Sequence, residues 1–89
     1  MENKIIKIFT ECNQVIDFEI DYEDCNYTYD FLVTLKNNND IYKAILKLTF
    51  LIECLNMSVH TLYEQIEDEI NENKETITID FYIDKLTGV

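Results

Sequence analysis

The sequence predicts an α+β fold: a two-layer domain in which an antiparallel sheet of about four strands carries two helices on one face. Residues 15–22 and 76–84 alternate between apolar and polar side chains, as strands with one buried face do. Residues 41–55 and 58–70 instead repeat apolar side chains at helical spacing. We therefore expect a single domain over residues 1–89, with the order strand-strand-strand-helix-helix-strand.

In each predicted strand the apolar side chains occupy alternate positions, and we expect that side of the strand to face the core. In residues 15–22, VIDFEIDY, the core positions are Ile16, Phe18, Ile20 and Tyr22. The opposite parity carries Asp17, Glu19 and Asp21, which are expected to face water. Residues 27–36 repeat the pattern, with Leu32 as an apolar exception on the polar parity.

Residues 3–10 are ambiguous between a strand and a helix. The isoleucine content of KIIKIF favours a strand, whereas Ile5, Ile8, Phe9 and Cys12 fit one face of a short helix. The sequence leans towards a strand, and this is the expectation we carry forward.

The two predicted helices differ in their surroundings. Asp40, after three asparagines, is expected to cap the first helix, and Leu46, Phe50 and Leu51 widen its apolar stripe so far that burial on most sides is expected. Ser58 is expected to cap the second helix, which would place His60 in its first turn. The polar face of that helix carries Glu64, Glu67, Asp68, Glu69 and Glu72.

Charge is the strongest compositional signal. The chain has 18 acidic against 7 basic residues, all of them lysine, and a formal net charge of −11. Such a balance disfavours direct binding to nucleic acid or anionic lipid and favours a basic protein partner. No apolar run approaches the roughly 20 residues of a membrane span, so we expect a cytoplasmic protein, in the host cell cytoplasm if it is phage-encoded.

The cysteines do not suggest a disulfide framework. Cys12, Cys25 and Cys54 form an odd set without paired spacing, so free thiols are expected. Cys54 lies in the most apolar stretch, where a thiol packs as a small hydrophobic group.

Catalytic and metal sites have little support. Asp17, Glu19 and Asp21 could bind a cation only with help from Asp30, Asp80 or Asp84, and the calcium-loop pattern is absent. His60 has no nearby sequence signature of a triad, and a single glycine, Gly88, excludes a phosphate-binding loop. We expect no cofactor, no metal and no enzymatic activity.

The favoured function is an acidic interaction protein that inhibits a basic, nucleic-acid-binding effector or nuclease stoichiometrically. In size and charge the chain is similar to phage-encoded DNA mimics, including some anti-CRISPR proteins and uracil-DNA glycosylase inhibitors, but no site residue is carried over from them. An immunity protein against a nuclease toxin would follow the same physics. The expected partner-binding residues are Asp17, Glu19, Asp21, Asp30, Asp80, Tyr82 and Asp84 on the sheet and Glu64, Glu67, Asp68 and Glu72 on the helix.

The alternative is a structural protein, a homodimer or an adaptor, whose acidity serves solubility. Leu32 indicates this alternative, because an apolar side chain on the open sheet face could pair with a second copy.

Overall fold

The protein has an α+β fold, as predicted. The computed structural model describes the backbone of residues 2–22, 28–61 and 63–85, and the side chains of residues 3–21, 28–61 and 65–84. The elements in chain order are α1 (Glu2–Glu11), β1 (Val15–Tyr22), β2 (Thr28–Lys36), α2 (Ile41–Glu53), β3 (Met57–His60), α3 (Tyr63–Asn71) and β4 (Thr76–Lys85).

The four strands form one antiparallel sheet in the order β1-β2-β4-β3. Strands β2 and β4 are central, and β1 and β3 are the edges. The alternation of β2 and β4 places their apolar side chains on one side, which we call the inner face. Its buried members are Tyr29, Phe31, Val33, Leu35, Ile77, Ile79, Phe81 and Ile83.

The first segment is a helix, so the expectation of a strand at residues 3–10 was wrong. Ile5 and Phe9, one helical turn apart, are fully buried in the core. The ring of Phe9 lies 5.1 Å from that of Phe31 and 5.5 Å from that of Phe81. This packing on the inner face outweighs the preference of isoleucine for strands, because propensity is a weaker force than burial.

Helix α2 also packs on the inner face, but it is buried on one side only. Its buried side chains are Ile41, Ala44, Ile45, Leu48 and Ile52. The expectation of burial on most sides was wrong, because Leu46 is 60% exposed and Phe50 is 64% exposed. Cys54, the C-cap residue of α2, is an exposed free thiol rather than a core group; Cys25 lies outside the described residues.

The segment after α2 also differs from the expectation. Ser58 and His60 belong to β3 and not to the start of a helix, because Met57–His60 pairs with the last residues of β4. Asn56, with a φ of 65°, reverses the chain between α2 and this strand. Helix α3 begins only at Tyr63, contacts β4 and contributes Ile66 to the core.

Strand β1 contains an irregularity that moves one side chain out of the core. Val15 pairs with Leu35 and Asp17 with Thr34, so Ile16 is the extra residue of a β-bulge. Ile16 was assigned to the core by its parity, but it is 51% exposed, while Val15 packs against the core instead. Beyond the bulge, Phe18 and Ile20 pack against the core as the alternation predicts.

Candidate protein-binding surface

The side of the sheet opposite the inner face gathers the predicted strand carboxylates. We call it the outer face. Because directly opposite residues of paired strands share a face, the strand register defines rows of side chains across it. The rows are Lys36–Thr76, Asp17–Thr34–Thr78, Glu19–Leu32–Asp80, Asp21–Asp30–Tyr82–His60 and Thr28–Asp84–Ser58.

Four carboxylates of the outer face are free of ion pairs. Asp17, Glu19, Asp21 and Asp80 are all exposed, and none has a salt-bridge partner among the described residues. The lysine ion pairs of the described chain lie elsewhere, between Lys7 and Glu11 on α1 and between Lys74 and Glu72 after α3. No lysine of the described residues therefore forms an ion pair with these four carboxylates, and Lys36, opposite Thr76, is the one lysine in the rows of this face.

The register places like charges next to each other. Asp21 on β1 lies directly opposite Asp30 on β2. Side chains of directly opposed residues are about 5 Å apart at Cβ, and like charges in such pairs destabilise a sheet. Along β1, the carboxylates recur every second residue, at about 7 Å. Two carboxylates therefore stand next to each other on this surface.

A polar group centred on Asp84 lies at the end of the outer face where β3 pairs with β4. The carboxylate accepts a hydrogen bond from Thr28 Oγ1 at 3.0 Å, and its second oxygen lies 3.1 Å from His60 Nε2. Ser58 Oγ approaches the same His60 nitrogen at 3.4 Å. A Ser-His-Asp relay needs its serine and aspartate on different ring nitrogens, so this arrangement does not have triad geometry.

Tyr82 stands on the outer face as expected, 38% exposed, with its ring centroid 6.4 Å from that of His60. Tyrosine provides a large, rigid contact area at little entropic cost. Its neighbours in the row are Asp30 and His60, so an aromatic group is set within the acidic surface.

The helix carboxylates form a second acidic surface on α3. Glu67 and Asp68 are exposed on it, Glu69 is half-buried, and the exposed Glu72 follows in the turn after the helix. The Glu64 side chain lies outside the described part of the chain. This surface is partly neutralised by Lys74, which donates a hydrogen bond to the Glu72 carboxylate. That hydrogen bond and the attraction to the Glu72 charge raise the pKa of Lys74, and Glu69 adds a weaker attraction.

A pocket of about 240 Å³ joins the two acidic surfaces where α3 passes β4. Sequence reasoning did not find this pocket, because it depends on how α3 meets the sheet. The one signal was Leu32, the apolar exception on the outer face. The lining residues are Leu32, Gln65, Ile66, Glu69, Thr78, Ile79 and Asp80.

The described residues contain no group of three or more His, Cys, Asp or Glu side chains arranged to hold a metal ion. Within the same part of the chain, no helix combines the length and apolar character that crossing a bilayer requires. No family model, curated protein or solved structure matches this chain.

Proposed function

We propose that the protein is a small stoichiometric inhibitor that binds a basic, nucleic-acid-binding protein through its outer face. The observation that carries the proposal is the set of exposed carboxylates at Asp17, Glu19, Asp21 and Asp80, none of which forms an ion pair with a described lysine. No catalytic step and no cofactor are part of the proposal.

The spacing of the carboxylates supports competition with nucleic acid. Successive carboxylates on β1 are about 7 Å apart, similar to the separation of phosphates along one strand. Lysines and arginines that contact phosphates could contact these groups instead. A surface with one sign of charge also speeds association with a basic protein. Such an inhibitor acts in the cytoplasm, against a CRISPR effector if phage-encoded or against a nuclease toxin if it is an immunity protein.

The test is affinity capture from a cell lysate at low and moderate salt. The bait is the wild type, the triple variant Asp17→Asn, Glu19→Gln, Asp21→Asn, or a matched triple variant Glu67→Gln, Asp68→Asn, Glu72→Gln. Both variants lose three negative charges, but on different surfaces. We expect a basic nucleic-acid-binding protein to be lost from the sheet variant and retained by the α3 variant.

A captured partner is then tested for displacement by its own nucleic acid. The proposal requires that nucleic acid and inhibitor exclude each other. If both triple variants retain the same partners at both salt concentrations, charge on the outer face has no role in recognition and the proposal is wrong.

The outward face of α2 favours a second candidate, a self-assembling structural protein. Leu46 and Phe50 lie one turn apart and are both mostly exposed. In an antiparallel pairing of two copies, each Leu46 would face the partner's Phe50, and Lys43 would come level with Glu53 of the other helix. Sedimentation of the wild type and of Leu46→Lys tests this candidate.

The response to salt separates the two candidates. Two copies with a net charge of −11 each repel one another, so screening would strengthen self-association. Binding to a basic partner would weaken under the same change. A wild type that sediments as a monomer at all salt concentrations, including at about 1 mM protein where even weak dimers form, excludes the α2 dimer.

A further inference from the structure

We propose that the pocket between α3 and the outer face is a subsite for an arginine side chain of the basic partner. This inference rests on the proposed function and adds to it a specific anchor, since charge alone does not select one contact point. The pocket would hold the arginine stem against its apolar wall and the guanidinium group at its acidic rim.

An apolar wall of the pocket would explain why leucine occupies position 32 on the outer face. This side chain stands in the outer-face row between Glu19 and Asp80, where a polar residue would be the ordinary choice. It is half-buried and lines the pocket; the other apolar lining residues, Ile66 and Ile79, belong to the core, so Leu32 supplies most of the accessible apolar wall. Arginine buries its methylene stem along apolar surface while its charged end stays polar, and such a wall matches that stem.

The rim supplies acceptors from both sides of the pocket. Asp80 lines the pocket from the sheet side and Glu69 from the helix side, while the Gln65 amide adds a further oxygen. Asp80 has no ion-pair partner among the described residues, whereas Glu69 is also attracted to Lys74. A guanidinium group presents five N–H donors in a fixed plane and can bridge acceptors on two sides.

The size and position of the pocket suit an anchor. A volume of about 240 Å³ corresponds to several water molecules, at about 30 Å³ each, so a long side chain could enter by displacing water. The pocket lies where the outer face borders α3, and it includes Asp80, so its occupant would contact the same surface that the proposed function uses. Arginine is among the residues that most often supply the binding energy of protein interfaces.

The experiment is an NMR titration of the ¹⁵N-labelled full chain with a short acetylated peptide that carries one arginine among glycines and serines. The same peptide with citrulline is the control, since citrulline keeps the shape and loses the charge. We expect saturable shifts of the backbone amides around Leu32, Ile66 and Asp80 with arginine. Citrulline should produce no shifts there.

Two substitutions test the two parts of the subsite. Leu32→Thr keeps every carboxylate and a good strand former, and it should weaken peptide binding about three- to tenfold. Leu51→Thr removes a half-buried leucine from α2 and should leave peptide binding unchanged. Asp80→Asn should weaken binding at least as much as Leu32→Thr, and an unchanged pattern of remaining amide signals establishes that each variant is folded.

The outcomes distinguish this inference from the proposed function. If the arginine peptide shifts only amides near Asp17 and Asp21, or if Leu32→Thr binds as the wild type does, the subsite is wrong and the acidic outer face remains the candidate. If the peptide binds in the pocket but the sheet variant still captures every partner of the wild type, the pocket binds arginine and the proposed inhibitor function is wrong.

Discussion

At the scale of single residues, Phe9 links the first helix to the sheet. Its ring packs against Phe18 of β1 at 5.7 Å and against Phe31 and Phe81 of the two central strands. Aromatic rings at these separations attract one another beyond the burial of their area. Sequence periodicity identified Phe9 as one member of a helical face but could not reveal this cluster, because three of its four members come from different strands.

We expect Phe9→Ala to lower the free energy of unfolding by about 3–5 kcal/mol, because it removes a fully buried ring and leaves a cavity. Phe50→Ala is the matched control and should change it by less than about 0.5 kcal/mol, since Phe50 is exposed on α2. Urea unfolding monitored by circular dichroism at low protein concentration measures both. Equal losses in the two variants would contradict the described core.

At the pair Asp21–Asp30 we expect a substitution to raise the free energy of unfolding rather than lower it. Asp21→Asn removes a charge directly opposite another carboxylate and should stabilise the protein by about 0.2–1 kcal/mol at low salt. Glu19→Gln removes one charge opposite Leu32 and should stabilise it less. Chemical unfolding of both variants gives the difference. A larger gain for Glu19→Gln would show that the opposed pair carries no special repulsion.

At the scale of elements, sequence patterns located β1, β2, β4 and α2 well, but they assigned residues 3–10 to a strand and missed β3. The alternation in residues 76–84, and in β1 beyond the bulge at Ile16, is a local property, so it survives folding. The assignment of residues 57–60 failed because their structure depends on a distant partner, Tyr82–Lys85 of β4. The exposed apolar face of α2 could not be predicted for a related reason. Composition does not distinguish an apolar stripe that packs against the core from one that is exposed to solvent.

The turn between α2 and β3 requires a particular backbone conformation at Asn56. Its φ of 65° lies in the left-handed region, which asparagine tolerates and most residues do not. Asn56→Ala should destabilise the protein by about 1 kcal/mol, whereas Asn56→Gly should be neutral or slightly stabilising. Thermal unfolding measures both variants. Equal melting temperatures would mean that the turn between α2 and β3 adapts to either residue.

At the scale of the whole molecule, charge and shape act together. The acidic groups are spread over a body with extents of 42 × 23 × 19 Å, and the net charge is −11. At about 0.01 M salt the screening length is about 30 Å, so the charges repel across the whole molecule; at about 0.15 M it falls to about 8 Å. The electrostatic character of the site was thus predictable from composition, whereas its geometry required the sheet register.

We therefore expect the melting temperature to rise with sodium chloride between these concentrations. The variant Asp17→Asn, Glu19→Gln, Asp21→Asn, Asp80→Asn should melt higher at low salt and respond less to added salt. Scanning calorimetry measures both. A wild type whose melting temperature falls as salt is added would indicate that attraction between opposite charges, and not repulsion, dominates the folded state.

Strand β1 is an edge of the sheet: no other described strand pairs with its outer side, and the backbone groups there are a potential template for another strand. The bulge at Ile16 interrupts that template, and the carboxylates of β1 repel an approaching copy. The groups proposed to attract a basic target would thereby also keep the protein from forming fibrils. We expect a variant that lacks all three β1 carboxylates to form cross-β aggregates slowly. The same substitutions would remove both the protection from polymerisation and the recognition of a target.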